Sequence, residues 1–341
     1  MLDDLKFINQ VDKDDALGVA GKQAGQLTHD YGVTLNFTDI KNIVVGGMGG
    51  SGWPSLVLKS WPSVTVPFEL SNNYSVPSYV GADTLYVASS YSGNTEETLA
   101  AIEDAAERGA QIVVMAAGGK LMDLAQQKGY PLYAIPSGFQ PRMSSFFFLT
   151  ALIQILEPLG LVPAGSLQEL HSAANWLKDQ NSQWLPEIKT SDNSAKQLAE
   201  RLVGKNVIIY SGPLLYPAAN KWKICVNENA KNTAWVNQYP ELNHNEFIGW
   251  SSHPIEKPFA VVEIQSELEH PRVQQRFALT DKLLSGNRPH AIVVKPEGDT
   301  VLKQILWAFN LGDYVSLYLA VLNNVDPTPV DLVEKFKKEL G

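Results

Sequence analysis

Two apolar runs that end abruptly in small and hydroxylated residues constrain this 341-residue chain more than any other feature. Asn42-Ile43-Val44-Val45 runs into Gly46-Gly47-Met48-Gly49-Gly50-Ser51-Gly52, and the run over 84–89 enters Ser90-Tyr91-Ser92-Gly93-Asn94-Thr95. A run of strand length followed at once by a glycine-rich turn opens an α/β unit. The pattern continues as expected. Leu99, Ile102 and Ala106 share one face of a helix predicted over 96–108, with Glu96 and Glu97 in its first turn where the macrodipole favours acids. Further strands are predicted at 111–116 and 132–135, then a mainly apolar helix over 144–156 that carries Phe146, Phe147, Phe148 and Leu149 in succession. Strands and helices alternating at short spacing make a parallel sheet flanked by helices.

The second half repeats this theme. Pro158, Gly160, Pro163 and Gly165 interrupt the chain, and a polar helical segment follows to about residue 180, which places a boundary within 155–185. Helices are predicted over 194–202 and 216–231, strands at 206–210, 259–264 and 291–294, and two closing helices over 298–322 and 328–340. The expected fold class is α/β, with two domains (1–160 and 161–341), each a mainly parallel sheet covered by helices. The first 40 residues read as partly helical, with Leu17, Ala20, Ala24, Leu27 and Tyr31 on one face.

Composition removes several classes of function. A formal net charge of −9 argues against wrapping nucleic acid. The single cysteine, Cys225, rules out an intramolecular disulfide and a cysteine metal cluster. The opening MLDDLKFINQVDKDD has no apolar core of a signal peptide, and no uncharged run reaches about 18 apolar residues, so a cytoplasmic protein without a membrane span is expected.

The chemistry is concentrated at the two turns. The 90–95 loop sets three Ser/Thr hydroxyls and a glycine between a strand and a helix start, where backbone N–H groups and hydroxyls receive an anion without any basic residue. Ser, Asn and Thr also cap helices for purely structural reasons, and the loop alone leaves both readings open. The 46–52 turn fits neither GxGxxG nor GxxxxGK[ST], so it gives little support to a dinucleotide or nucleoside triphosphate. Two such turns on neighbouring strands would share the carboxyl edge of one sheet, where open α/β folds take ligands.

The 46–52 turn followed by SxSGxT at 90–95 resembles the sugar isomerase (SIS) domain, which binds phosphosugars. Two such domains in a chain of this length resemble the phosphoglucose isomerase superfamily, and within it the bifunctional phosphoglucose/phosphomannose isomerase branch. Pro141-Arg142, Asn227-Glu228-Asn229-Ala230-Lys231 and the segment Pro240-Glu241-Leu242-Asn243-His244-Asn245-Glu246 carry the resemblance onward. It spans residue 42 or so to the C-terminus.

The resemblance implies hexose 6-phosphate substrates, held at the phosphate by Gly50, Ser51, Ser90, Ser92 and Thr95. Glu228, near the end of the helix predicted over 216–231 and close to Trp222, Ile224, Cys225 and Val226, corresponds to the family's base, which moves a proton between C2 and C1 of the open-chain sugar. On its own the commoner fate of such a glutamate is a surface position. His244, flanked by Asn243 and Asn245 that could fix its tautomer, corresponds to the residue that assists ring opening from the other subunit of a homodimer. Arg142 corresponds to the arginine near the reacting carbons. Lys337, placed with Val330 and Val333 on one face of the last helix, corresponds to a C-terminal lysine acting in ring opening, with Lys335 the alternative. Thr328 is a candidate for the small residue that admits mannose 6-phosphate.

No cofactor is expected. The one local cluster with metal-ligand chemistry, His244 with Glu241 and Glu246, lacks HExxH spacing, so no metal is expected either. The alternatives are an isomerase of glucose 6-phosphate alone and a non-catalytic SIS regulator that only binds sugar phosphate. The regulator leaves Glu228, His244 and a terminal lysine unexplained together. An amidotransferase is disfavoured because Cys225 is internal.

Overall fold

A computed structural model describes residues 1–252 and 258–340. The chain forms two compact units, one of residues 22–178 and one of residues 1–21 with 179–341. The boundary near 178 lies within the expected 155–185 but later than 160, and the first 21 residues join the second unit instead of the first. The physical reason is a set of polar anchors. Lys196 is fully buried and donates to the carbonyls of Pro186 (2.8 Å) and Ile188 (2.7 Å) and to Asp3 (3.3 Å). Asp3 also accepts from the backbone N–H and the hydroxyl of Thr190, and Asn310 donates to the carbonyl of Ala20. The single N-terminal face expected over 17–31 is accordingly broken: the α-helix Ala16–Lys22 gives way to the 3-10 turn Gln23–Thr28.

In residues 22–178, β1 (Asn42–Gly47), β2 (Phe68–Ser71), β3 (Thr84–Ser90), β4 (Gln111–Ala116) and β5 (Leu132–Ala134) form an all-parallel sheet in the order β2-β1-β3-β4-β5. Both faces are covered, so the central strands are buried throughout and read as unbroken apolar runs. Val44, Tyr86 and Val114 pack with Ile102 and Leu121 from the helices Glu96–Glu107 and Gly119–Lys128. The helix Ser145–Leu156 is almost wholly buried, as its phenylalanine run predicts.

In the second unit β6 (Asn206–Ser211), β7 (Ala234–Gln238), β8 (Phe259–Ile264) and β9 (Ile292–Val294) repeat the arrangement as β7-β6-β8-β9, again all parallel. In both sheets the first strand lies between the second and the third, the order whose switch point takes ligands at the carboxyl ends of the first and third strands. Val301–Leu322 is the one helix among the described residues long and apolar enough to cross a membrane, and 94% of its apolar window is buried inside the protein. It packs on the helices Tyr216–Glu228 and Ser194–Leu202 as the core element of its unit.

Candidate functional site

At the switch point of the first sheet the two turns meet. Gly47 pairs with Ser89 across β1 and β3. From there the chain enters the helix Gly49–Val57, whose first turn holds no acidic residue. Ser51, at the start of that helix, ties the loops together. Its carbonyl accepts from the Ser89 hydroxyl (2.8 Å), and its own hydroxyl accepts from the Tyr91 N–H (3.1 Å). Thr95 precedes the helix Glu96–Glu107 without capping it through its side chain. Instead its hydroxyl shares a 2.8 Å hydrogen bond with Ser90, whose oxygen also accepts from the Gly93 N–H (3.1 Å). Ser92 is exposed and accepts from the Asn94 N–H. The structural capping role therefore does not account for Thr95. The arrangement is a group of hydroxyls and a helix N-terminus turned to one edge, chemistry suited to an anion.

The glycines make this approach possible. A Cβ on Gly50 would lie 2.8 Å from the Pro141 carbonyl oxygen and 3.2 Å from the Arg142 Cα. Arg142 thus sits against the first turn, in the 3-10 segment Pro141–Met143. Its side chain is buried and donates to Gln140 Oε1 (3.3 Å), so it is not an ordinary solvated arginine. A contribution missed in the sequence is the Gly118-Gly119 pair. Gly93 (φ +66°) and Gly119 (φ +69°) pack backbone to backbone, and Asn94 Oδ1 accepts from the Lys120 N–H. The paired glycines directly before a helix were the available signal.

In the second unit the helix Tyr216–Glu228 ends at Glu228, short of the expected 231, and Lys231 adopts φ +52°. Trp222, Cys225 and Val226 are buried, whereas Glu228 is half-exposed, off that apolar face. Lys231 Nζ donates to the carbonyls of Glu228 (2.8 Å) and Pro327 (3.1 Å). This bridge brings the segment of the half-buried Thr328 to the end of the helix that carries Glu228.

His244 is exposed in the 3-10 turn Glu241–His244, after β7. Its flanking asparagines do not fix its tautomer. Asn243 donates to Thr280 Oγ1 and accepts from Arg276, and Asn245 donates to Glu241 and accepts from the Glu246 N–H. The local acidic cluster is dispersed too, because the Glu246 carboxylate accepts from the Tyr210 hydroxyl and from Asn237 (2.6 Å). Among the described residues no group of three or more His, Cys, Asp or Glu is placed to hold a metal ion. Lys337 lies on the last helix, Asp331–Leu340, and pairs with Glu334 at 2.8 Å. The apolar face of that helix is made by Leu332, Val333, Phe336 and Leu340, with Lys337 at its flank. Val330, expected on one face with Val333 and Lys337, immediately precedes this helix. The whole helix is exposed, Leu332 at 81% and Phe336 at 66%.

The second sheet has an equivalent switch point, and a side chain occupies it. Glu269, on the loop after β8, is buried and accepts from the Leu214 N–H (2.8 Å), just beyond β6. A Cβ on Gly212 would fall 2.1 Å from its Oε1. Burial raises the Glu269 pKa, and the N–H groups of Leu214 and Leu215 partly oppose that rise. Nothing in the sequence around Glu269 marks it, since its partners are 55 residues away.

Comparison with known proteins adds to this geometry. Residues 191–340 match the family model of the bacterial phospho-glucose isomerase C-terminal SIS domain. A bifunctional phosphoglucose/phosphomannose isomerase of Aquifex aeolicus is 35% identical over 311 residues, covering 90% of this chain and 93% of its own. A D-glucosamine-6-phosphate 4-epimerase of Sulfolobus acidocaldarius is 33% identical over 299 residues, covering 87% and 89%. A glucose-6-phosphate isomerase like protein of Thermus thermophilus superposes with a TM-score of 0.69 over 99% of this chain and 98% of its own, at 18% identity.

Proposed function

We propose that this chain, an isomerase belonging to the bifunctional phosphoglucose/phosphomannose isomerase family, interconverts glucose 6-phosphate and mannose 6-phosphate with fructose 6-phosphate. The observation that carries the proposal is the joined pair of turns at the first switch point. Gly50, Ser51, Ser90, Ser92 and Thr95 hold the phosphate there, and the neutral hydroxyls and helix start spare the site a cluster of cations. His244 and Lys337, or Lys335 in its place, open the sugar ring. Glu228 then removes the C2 proton as general base. The C–H electron pair becomes the C1–C2 double bond of a cis-enediolate, and Arg142 offsets the negative charge on O1. The proton returns at C1 while the O2 proton moves to O1, which leaves the carbonyl at C2. Mannose 6-phosphate differs only at C2, and Thr328 leaves room for rotation about C2–C3.

In this reading the active enzyme is a homodimer that receives His244 across the interface. The exposed apolar face of the last helix supports it. A ten-residue helix is marginal in water without packing, and a second copy would cover the face. The reaction needs neither a cofactor nor a metal.

The test is formation of fructose 6-phosphate from each substrate in the presence of EDTA, beside Glu228→Gln. Turnover of both substrates, with the variant lowered by about 100-fold or more, supports the reading. Activity on glucose 6-phosphate alone removes the dual specificity. The 33% identical epimerase motivates one further arm, glucosamine 6-phosphate. Turnover of that sugar with none of the other two would move the chemistry to C4.

A further inference from the structure

The helix Tyr216–Glu228 is joined to Val301–Leu322 by a run of polar contacts that stability alone does not explain. Lys221 Nζ lies 3.1 Å from Asp313 Oδ1, and Cys225 Sγ donates to the same oxygen at 2.9 Å. Lys221, Cys225 and Asp313 are all buried. The other Asp313 oxygen is buried with no hydrogen-bond partner among the described residues. Apolar residues of similar volume would hold two helices together as well as a buried ion pair, or better, because of the cost of taking both charges out of water. What the pair adds is register. Two residues one turn apart converge on a single oxygen, which sets both the rotation and the axial position of their helix.

The contacts continue toward Glu228. Trp222 Nε1 donates to the Ala308 carbonyl (2.6 Å), and a Cβ on Gly312 would fall 2.3 Å from the Trp222 ring, so the helices touch closely there. Past the ion pair, Asn229 Nδ2 donates to Ser316 Oγ (2.9 Å), and Ser316 in turn donates to the Asp313 carbonyl (2.8 Å). Asn323 then donates to the Ala230 carbonyl, and Lys231 bridges Glu228 and Pro327. The contact points advance together along both segments. Glu228, the one acid on its helix, is displayed half-exposed where they end.

We infer that Lys221 and Asp313, continued by Asn229 and Ser316, are positioning residues that fix the register of the Tyr216–Glu228 helix and so hold the Glu228 carboxylate in place for proton transfer. This rests on the reading of Glu228 as the base. The effect is one of geometry: the network touches the backbone that carries the base, not the substrate.

The test is the double variant Lys221→Met with Asp313→Leu, in the isomerase assay beside Glu228→Gln. The double variant is expected to melt at or above the wild-type temperature, since no charge is left unpaired. Its kcat is expected to fall about 10- to 100-fold at unchanged KM, the cost of a small displacement of a reacting group. A wild-type kcat, or a KM that rises in step with the loss, would overturn the positioning role. If Glu228→Gln is inactive in that experiment, only the positioning role falls. If Glu228→Gln keeps wild-type kcat, the assignment of the base fails and this inference with it. Should the double variant not fold, Ser316→Ala carries the same test, because it removes the hydroxyl that receives Asn229 and leaves the ion pair intact.

Discussion

Gly93 shows how narrowly the first loop is built. Its φ of +66° lies in the left-handed region, and a Cβ there would stand 1.8 Å from the Gly118 carbonyl oxygen. An alanine at this position must push the 90–95 loop away from the turn at 118–119. The hydroxyls of Ser90 and Thr95 move with it. Gly93→Ala is therefore expected to lower stability by about 2 kcal/mol or more in urea unfolding, and to raise the KM for sugar phosphate more than it lowers kcat. Gly25 is the matched control, since it has an ordinary φ and open space around a Cβ. Gly25→Ala is expected to leave stability unchanged or raise it by about 0.5 kcal/mol, through the lower entropy of the unfolded chain. If the two variants behave alike, the close approach at Gly118 is not what shapes the loop.

At the scale of elements, the two sheets share one strand order but treat their switch points differently. The first turns hydroxyls and a helix start to its edge, whereas the second fills the corresponding place with the Glu269 carboxylate. Burial raises the Glu269 pKa above its ordinary 4.5 in the folded protein. From that value up to the raised one, the native state keeps a proton that the unfolded chain has released. Stability therefore falls as pH rises through this window and levels off above it. Glu269→Gln is expected to flatten that slope, read as the difference in melting temperature between wild type and variant across a pH series. An unchanged slope would mean that another group supplies it.

The elements also show what was legible in the chain. Central parallel strands are buried on both faces, so β1, β3, β4, β6 and β8 stood out as apolar runs. The edge strands β2 and β7 have one neighbour each and a mixed burial pattern, and no such run marks them. The helix Gly49–Val57 was hidden because glycine disfavours helix, and its burial in tertiary packing overrides that preference. The hydroxyl turn was readable because local order carries it. Glu269 and the Lys221–Asp313 pair were not, since contacts between residues far apart in the chain create them.

At the scale of the molecule, the proposed chemistry depends on a second copy, and that dependence can be measured without a structure of the dimer. Suppose Glu228 works in its own subunit's site and His244 works in its partner's. A subunit bearing Glu228→Gln then spoils its own site, and one bearing His244→Ala spoils its partner's. In a hybrid of the two, one site carries both defects and the other carries neither. Each variant alone is expected to be nearly inactive. Co-expression of the pair under separate tags should restore about a quarter of wild-type activity, because random assembly makes half of the dimers hybrid and each hybrid has one intact site. Activity that stays at the level of the single variants would place His244 in the same subunit's site as Glu228, and the last helix would then need another reason to carry Leu332 and Phe336 on an exposed face.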